Sequence, residues 1–184
     1  PNILSFDLGG TTAKGALVRD YKPLKSEQME VDRVNEARKG SGFPLRIPVL
    51  DMIEIGSGGG SIAGIDDRGL LKVGPRSAGA NPGPACYGKD GGYAALTDAN
   101  LLLGYLDPDF FLGGEMKLDK RASEIAIEKN VGLPLSLSTL RASWGIHDSA
   151  SEDIARAFRI HAAERGFDYR NATMAAFGGS GPLH

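Results

Sequence analysis

The chain has 184 residues, 41% of them hydrophobic and 24% charged, and a formal net charge of -2. That is the make-up of a globular protein with one sizeable core. No apolar run approaches the roughly 20 residues that cross a bilayer, and the charge exerts no general pull toward nucleic acid or an anionic membrane surface. A single cysteine excludes an internal disulfide. With no secretory or transit pattern either, a cytoplasmic location is the expectation. Glycine is the anomaly: 26 residues, about twice the usual share of roughly 7%, clustered as several special loops would require. The chain opens on Pro1 directly before a strand pattern and closes on His184 directly after a glycine loop, as expected of a piece excised from a longer protein.

Residues 2–8 form a short apolar run suited to a buried strand. Residues 12–19 read as its hairpin partner, with Gly9 and Gly10 in the turn. Residues 30–34 alternate in strand fashion, and residues 35–44 read as an exposed loop with a solvated basic face. The stretch "IPVLDMIEI", residues 47–55, fits either a strand or a short buried helix. "GSGGGS" follows at residues 56–61, then two apolar runs joined at Asp67-Arg68-Gly69, which reads as a hairpin. Residues 75–88 make a long structured loop, and ordered loops of that length disproportionately carry function.

The second half reads as helical. Thr97 is placed to cap a helix through residues 98–106, and Asp119 to cap one that presents Ala122, Ile125 and Ala126 to a core. Ser138 opens a long helical region ending at Gly166, with a candidate break near Gly145. Ile154, Ala155, Phe158 and Ala162 should pack along a core. Residues 172–177 read as a buried strand leading into "GGSGPLH". Strands, then helices, then a last strand predict an α/β fold, a mixed sheet with flanking helices and glycine-rich turns at strand ends.

The chemistry begins at "FDLGGTTAKGALV". One reading is a plain hairpin with a satisfied turn aspartate. The other is a phosphate cradle: the amides of Gly9, Gly10, Thr11 and Thr12 point into one concavity, with threonine hydroxyls and Lys14 nearby. Asp7 would repel a bare phosphate, so the second reading requires a divalent cation such as Mg²⁺ beside it. "AFGGSGPLH" is a second strand ending in Gly178, Gly179 and Gly181, where a ring or ribose could lie against backbone.

Asp51 and Glu54 lie three apart and would share a face only on a helical turn. They are either a pair holding a metal or a substrate amide, or surface acids beside a flexible turn. Gly58, Gly59 and Gly60 suit contact with a ligand or another backbone. Cys86 reads as a packed or ligand-lining thiol, since no assured histidine partner accompanies it. Zinc would need His147, His161 or His184 to converge on it. His161 reads as structural, and His184 as the histidine nearest the cleft. Asp98 is either a first-turn acid or a polar group facing the "ANPGPACYG" loop.

The two strand-to-glycine-loop units together resemble the actin-like ATPase superfamily. "EIGSGGGSIAGID", "VGPRSAGANPGPACYG" and "LTDANLLLGYL", in that order between them, narrow the resemblance to the hydantoinase A and 5-oxoprolinase family. It covers nearly the whole chain. It implies an actin-like (ribonuclease H-like) domain fragment, residues 1–184 being part of one hydantoinase A-type domain. Its parts would be a strand-rich segment (1–75), a loop (76–96), a helical segment (97–166), and a final strand with its glycine loop (171–184). The family's N-terminal domain, with a further phosphate segment, would be missing and the fragment alone inert.

The implied activity uses ATP and Mg²⁺ to phosphorylate the carbonyl oxygen of a cyclic amide, or of a ketone before carboxylation. On this sequence the resemblance implies Gly9, Gly10, Thr11, Thr12 and Lys14 at the phosphates, and Gly178, Gly179 and Gly181 at the adenosine. The reading of the residues themselves adds Asp7 at the metal, Asp7, Asp51 and Glu54 as catalytic candidates, and Gly58, Gly59 and Gly60 with Cys86 as a substrate loop. The implied partners are a small cyclic amide or ketone and a hydantoinase B-type subunit, with neither nucleic acid nor membrane. A small-molecule kinase and a nucleotide-gated binding module are the alternatives. The two middle motifs argue against the kinase.

Overall fold

The computed structural model describes residues 2–32 and 41–184. The first hairpin forms as its alternation predicts. β1 (Asn2–Leu8) and β2 (Ala13–Arg19) pair antiparallel, with Asp7 opposite Lys14 and Phe6 opposite Gly15. Short strands follow: β3 (Lys22–Pro23), β4 (Lys25–Ser26), β5 (Met29–Val31), β6 (Phe43–Leu45), β7 (Val49–Leu50) and β8 (Met52–Ile55). β3 and β8 both bond to β2, while β4–β7 and β5–β6 are separate two-stranded ladders.

Residues 47–55 are therefore extended, not helical. Of the strand expected at 30–34, Arg33 and Val34 lie outside the described residues, as do positions 35–40 of the expected loop. Phe43 and Pro44, placed in that loop by the sequence, belong instead to β6.

β9 (Ser61–Ile65) and β10 (Leu71–Ser77) form the expected hairpin. Its turn is held by Asp66 Oδ1, which accepts from the Arg68 and Leu70 amides at 2.9 Å each, and Gly69 takes the left-handed φ of 78°. Helix α1 (Leu96–Leu102) begins one residue before Thr97, so Thr97 lies inside the first turn and is not its cap. α2 (Lys120–Ile127) is capped by Asp119 as expected, the carboxylate accepting from Ala122 N at 3.1 Å. It runs through a π-helical turn (Glu128–Gly132) into the three-residue α3 (Leu133–Leu135).

α4 (Thr139–Ala163) is one continuous helix, with no break at Gly145. A mid-helix glycine costs about 1 kcal/mol; burial of Ala142, Ile146 and Ala150 around it more than offsets that. Ser138 caps the start, and the chain leaves the helix at Gly166 (φ 56°).

β11 (Thr173–Phe177) returns to pair parallel with β1, completing a mixed five-stranded sheet. Contrary to the buried strand expected, all five of its residues are exposed. It is an edge strand, bonded among the described strands to β1 alone.

Strand alternation sends Phe6 and Leu8 to one face of the sheet, where Ile154 and Phe158 of α4 meet them. Phe6 and Phe158 pack edge to face at 5.5 Å, each such ring stabilising the fold by about 1.5–3 kcal/mol. A Cβ at Gly15 would overlap the Phe158 ring, so glycine is required there for close helix–sheet approach. A second core joins α1, α2 and the first half of α4 to β9–β10 through Leu96, Ala99, Ile127, Ile146 and Val73.

Candidate functional site

β1 and β11 are parallel and adjacent, so their C-terminal ends deliver two glycine loops to the same edge of the sheet. In open α/β sheets that edge is where ligands bind. The Gly178 loop folds over the end of β1, with Ser180 N donating to Leu8 O at 2.9 Å. Gly178 has φ 82°, and a Cβ there would meet the Asp7 carboxylate and come within 2.6 Å of Leu8 O. A side chain at 178 would thus displace Asp7.

The Gly58–Gly60 turn docks on the first hairpin turn. Gly59 N donates to Gly9 O at 2.9 Å and Gly60 N to Gly10 O at 2.7 Å. A Cβ on Gly58 would lie 2.6 Å from Thr11 N, and one on Gly60 2.9 Å from Gly10 O. These glycines serve backbone-to-backbone contact, one of the two roles the sequence left open.

The hairpin and phosphate readings of the opening stretch divide between its amides. Gly9 N donates within the turn to Thr12 O at 3.1 Å, so it is committed to the hairpin. Among the described residues, the amides of Gly10 and Thr11 make no hydrogen bond. Both residues are exposed at the tip.

Beside the turn lies a cavity of about 430 Å³. Gly9 and Gly10, Gly59 and Gly60, and Gly179 and Ser180 all reach it. Thr97 and Asn100 of α1 form its floor, and Tyr87, Tyr105 and Phe110 are among its apolar walls. Thr97 Oγ donates to Gly59 O at 2.8 Å, which ties the helix to the glycine turn. The charged side chain in the lining is Asp107; no lysine or arginine contributes.

Three charged residues lie in one row across the sheet. Asp7 is opposite Lys14, and Lys14 is opposite Glu54. Alternation puts all three on the face turned away from α4. Lys14 Nζ sits 3.7 Å from Glu54 Oε1, both side chains about half exposed. Asp51 is elsewhere: it precedes β8 at the opposite end from Gly56, and forms a two-point ion pair with Arg165, Oδ1 accepting from Nη2 at 2.6 Å. The structure does not join Asp51 to Glu54, because an extended chain turns residues three apart to opposite faces.

Cys86 does not line the cavity; Pro84 and Tyr87 on either side of it do. It is fully buried with Leu101 and Leu118. Burial, reinforced by nearby Asp98, drives its thiol well above the ordinary range, so it carries no reactive thiolate.

Asp98 faces the residue 75–88 loop, the second of the two sequence readings. Oδ2 accepts from Ala85 N (3.1 Å) and Ala95 N (2.8 Å); Oδ1 accepts from Cys86 N (2.8 Å) and Ser123 Oγ (2.7 Å). Four donors on one fully buried carboxylate tie the loop, α1 and α2 together.

The histidines do not converge on Cys86, and the described residues hold no cluster of three metal-ligating side chains. His161 is buried in α4; burial first, then the Arg165 charge, lowers its pKa. His147 and His184 stack at 4.6 Å and 11°. His184 lines a separate apolar groove of about 310 Å³ between β1 and α4. Its pKa is pulled down to about 4 by burial and then by His147.

Asn100 and Thr97 are the site residues that sequence reasoning missed. The available signal was three polar residues, Thr97, Asp98 and Asn100, inside an otherwise apolar helix, and all three are buried.

The Hydantoinase/oxoprolinase family profile matches residues 1–184. The caprolactamase subunit alpha of Pseudomonas jessenii is 38% identical over 100% of this chain and 25% of its own length. The crystal structure of the ATP-dependent caprolactamase from that organism superimposes with a TM-score of 0.84 at 36% identity, again over 100% and 25% of the two chains. A nucleotide-free acetone carboxylase, from work on ATP-dependent acetone carboxylation, superimposes with a TM-score of 0.85 at 30% identity over 100% and 25%. The chain spans about a quarter or less of the length of the curated relatives it matches.

Proposed function

The chain belongs to the Hydantoinase/oxoprolinase family, and from that premise we propose that it is part of one actin-like domain of an ATP-dependent cyclic amide hydrolase. The whole protein activates the amide carbonyl by transferring a phosphoryl group from ATP to its oxygen. The observation that carries this reading is the double character of the Gly9–Thr12 turn: among the described residues the Gly10 and Thr11 amides make no hydrogen bond, while Gly9 and Gly10 wall a mostly apolar cavity.

Gly10, Thr11 and Thr12 bind phosphate oxygens through amides and hydroxyls, and Gly178, Gly179 and Gly181 let the nucleoside lie against backbone. Asp7 would hold Mg²⁺, which takes one or two carboxylates together with phosphate oxygens and water and would supply charge neutralisation at the transferred group. Lys14 pairs with Glu54 and sets the charge of the row next to Asp7. The Gly58–Gly60 turn fixes the shape of the hairpin tip.

Asp51 contributes no chemistry in this reading, since Arg165 occupies both of its oxygens. The remaining nucleotide contacts come from a preceding domain, so these residues alone are inert. The relative named subunit alpha supports a partner subunit, and we assign a hydantoinase B-type chain to that place and the cytoplasm as the location. No helix among the described residues is long and apolar enough to cross a membrane.

Ketone carboxylation is the second reading, favoured by the acetone carboxylase likeness. Both are tested by ATP hydrolysis in the full-length protein with its partner subunit, against hydantoin, 5-oxoproline, caprolactam, acetone with bicarbonate, and simple sugars. Stimulation by a cyclic amide is the expected result. Stimulation by acetone alone moves the assignment to carboxylation, and stimulation by sugars alone overturns both.

A further inference from the structure

The loop between α1 and α2 carries an acid whose acceptor capacity its own fold leaves partly unused. Asp107 Oδ1 accepts from Asp109 N at 2.9 Å, which leaves Oδ2 and the second lone pair of Oδ1 open. Among the described residues Asp107 makes no ion pair, whereas Asp109, two positions on, pairs with Lys117 at 3.4 Å. Asp107 is exposed and lines the cavity of about 430 Å³, so a molecule in that cavity can reach its carboxylate.

The loop holds this acid in place from both sides. Before it, Tyr105 N donates to Asn100 O at 3.0 Å; after it, Leu118 N donates to Pro108 O at 2.8 Å. Leu106 and Phe111 pack against the buried cluster of Cys86, Leu101 and Leu118. A side chain anchored this way loses little freedom when a ligand engages it.

Its position separates it from the phosphates. In the reading above, phosphate binds at the Gly9–Thr12 turn, and Thr97 in the first turn of α1 is tied to the neighbouring Gly59 O at 2.8 Å. α1 runs seven residues, about 10 Å at 1.5 Å per residue, and Asp107 lies past its far end. The phosphate turn and Asp107 thus serve opposite ends of α1.

The acid's chemistry selects what it meets. A carboxylate repels phosphate, and as a pure acceptor it needs donors. A nucleoside offers two kinds. The amine of adenine is flanked by ring nitrogens that are themselves acceptors, which would face the second carboxylate oxygen. The 2′ and 3′ hydroxyls of ribose stand side by side as two O–H donors, which match the open lone pairs. Tyr87, Tyr105 and Phe110 in the same lining supply the apolar wall a base requires.

We propose that Asp107 accepts hydrogen bonds from the ribose hydroxyls of the nucleotide and makes the site selective for ribonucleotides. The inference rests on the ATP reading above and adds the residue that recognises the sugar.

The test is calorimetric titration of the full-length protein with its partner subunit, using ATP and 2′,3′-dideoxy-ATP in the presence of Mg²⁺. Wild type should bind ATP about tenfold or more tighter than the dideoxy analogue, the usual worth of hydrogen bonds to a charged group. Asp107→Ser shortens the side chain while its hydroxyl still accepts from the Asp109 amide, which keeps the turn. It should weaken ATP by that same factor and change the Kd of dideoxy-ATP less than twofold.

Melting curves confirm that the variant is folded; if it is not, Asp107→Asn carries the same comparison with a smaller loss. Equal affinity of wild type for the two nucleotides overturns the proposal, as does a variant that loses both equally or neither, and in each case the ATP reading stands. A wild type that binds neither nucleotide overturns both.

Discussion

Asp98 and Asp7 are two aspartates in glycine-rich surroundings, and the structure treats them in opposite ways. Asp98 has no exposed surface and accepts four hydrogen bonds, from three backbone amides and a serine hydroxyl. Asp7 is half-buried at the end of β1, faces Lys14 across the hairpin, and keeps its place because Gly178 carries no side chain. A carboxylate whose lone pairs are all filled by its own fold has nothing left to offer a ligand. One half-buried at a strand end is not so committed. The helical side of the molecule is knit together by the first kind of acid, and the sheet side carries the second kind at the end of β1.

The contrast breaks most readily at Asp98. Asp98→Ala strands four donors in a dry interior and should lower the unfolding free energy of the full-length protein by about 3–5 kcal/mol, measured by denaturant titration. A loss below about 1 kcal/mol would mean that water reaches these donors and that the two acids differ less than argued. Next in size is Gly58→Ala. Its Cβ would lie 2.6 Å from Thr11 N and 2.7 Å from Gly10 C, and such overpacking costs about 1–3 kcal/mol. The Gly9–Thr12 turn should shift with it and, on the proposed function, weaken ATP binding, as titration with a fluorescent ATP analogue would reveal.

A smaller effect sits at His184, whose folded pKa of about 4 lies below the ordinary 6.5. As the pH falls, the unfolded chain takes up the proton first. The contribution of neutral His184 to stability is therefore complete above pH 6.5 and is lost progressively toward pH 4. Stability of the wild type relative to His184→Phe should fall across that window; parallel curves would refute the burial argument. The smallest effect is expected at Lys14 and Glu54, an ion pair at 3.7 Å between half-exposed groups. A double-mutant cycle should return a coupling below about 1 kcal/mol, shrinking with added salt.

Much of this was legible in the sequence because it depends on local rules. The β1–β2 hairpin, the Asp67-Arg68-Gly69 turn, the Asp119 cap and the glycine loops at strand ends all follow from alternation and turn chemistry. The resemblance of the middle motifs then reached the family itself. What failed depended on contacts distant in sequence. Gly145 did not break α4, because its helical neighbours are buried against other elements. Thr97 turned from cap to cavity floor because Gly59, 38 positions away, takes its hydroxyl proton. Asp51 was claimed by Arg165, 114 positions away. Residues 172–177 have the composition of a buried strand, yet among the described residues only β1 pairs with them. Of the two readings of Cys86 the structure takes the packed one: the thiol is buried, while Pro84 and Tyr87 line the cavity.

The central claim is that the amide carbonyl oxygen itself receives the phosphoryl group, and its most direct test is isotopic. The full-length protein and its partner subunit would be given ATP and a cyclic amide labelled with oxygen-18 at the carbonyl. The inorganic phosphate and the ring-opened product would then be analysed by mass spectrometry, for wild type and for Asp7→Asn. The account predicts that the label leaves the amide and appears in inorganic phosphate in step with ring opening, and that Asp7→Asn abolishes both. Label retained wholly in the product while ATP is consumed would contradict it.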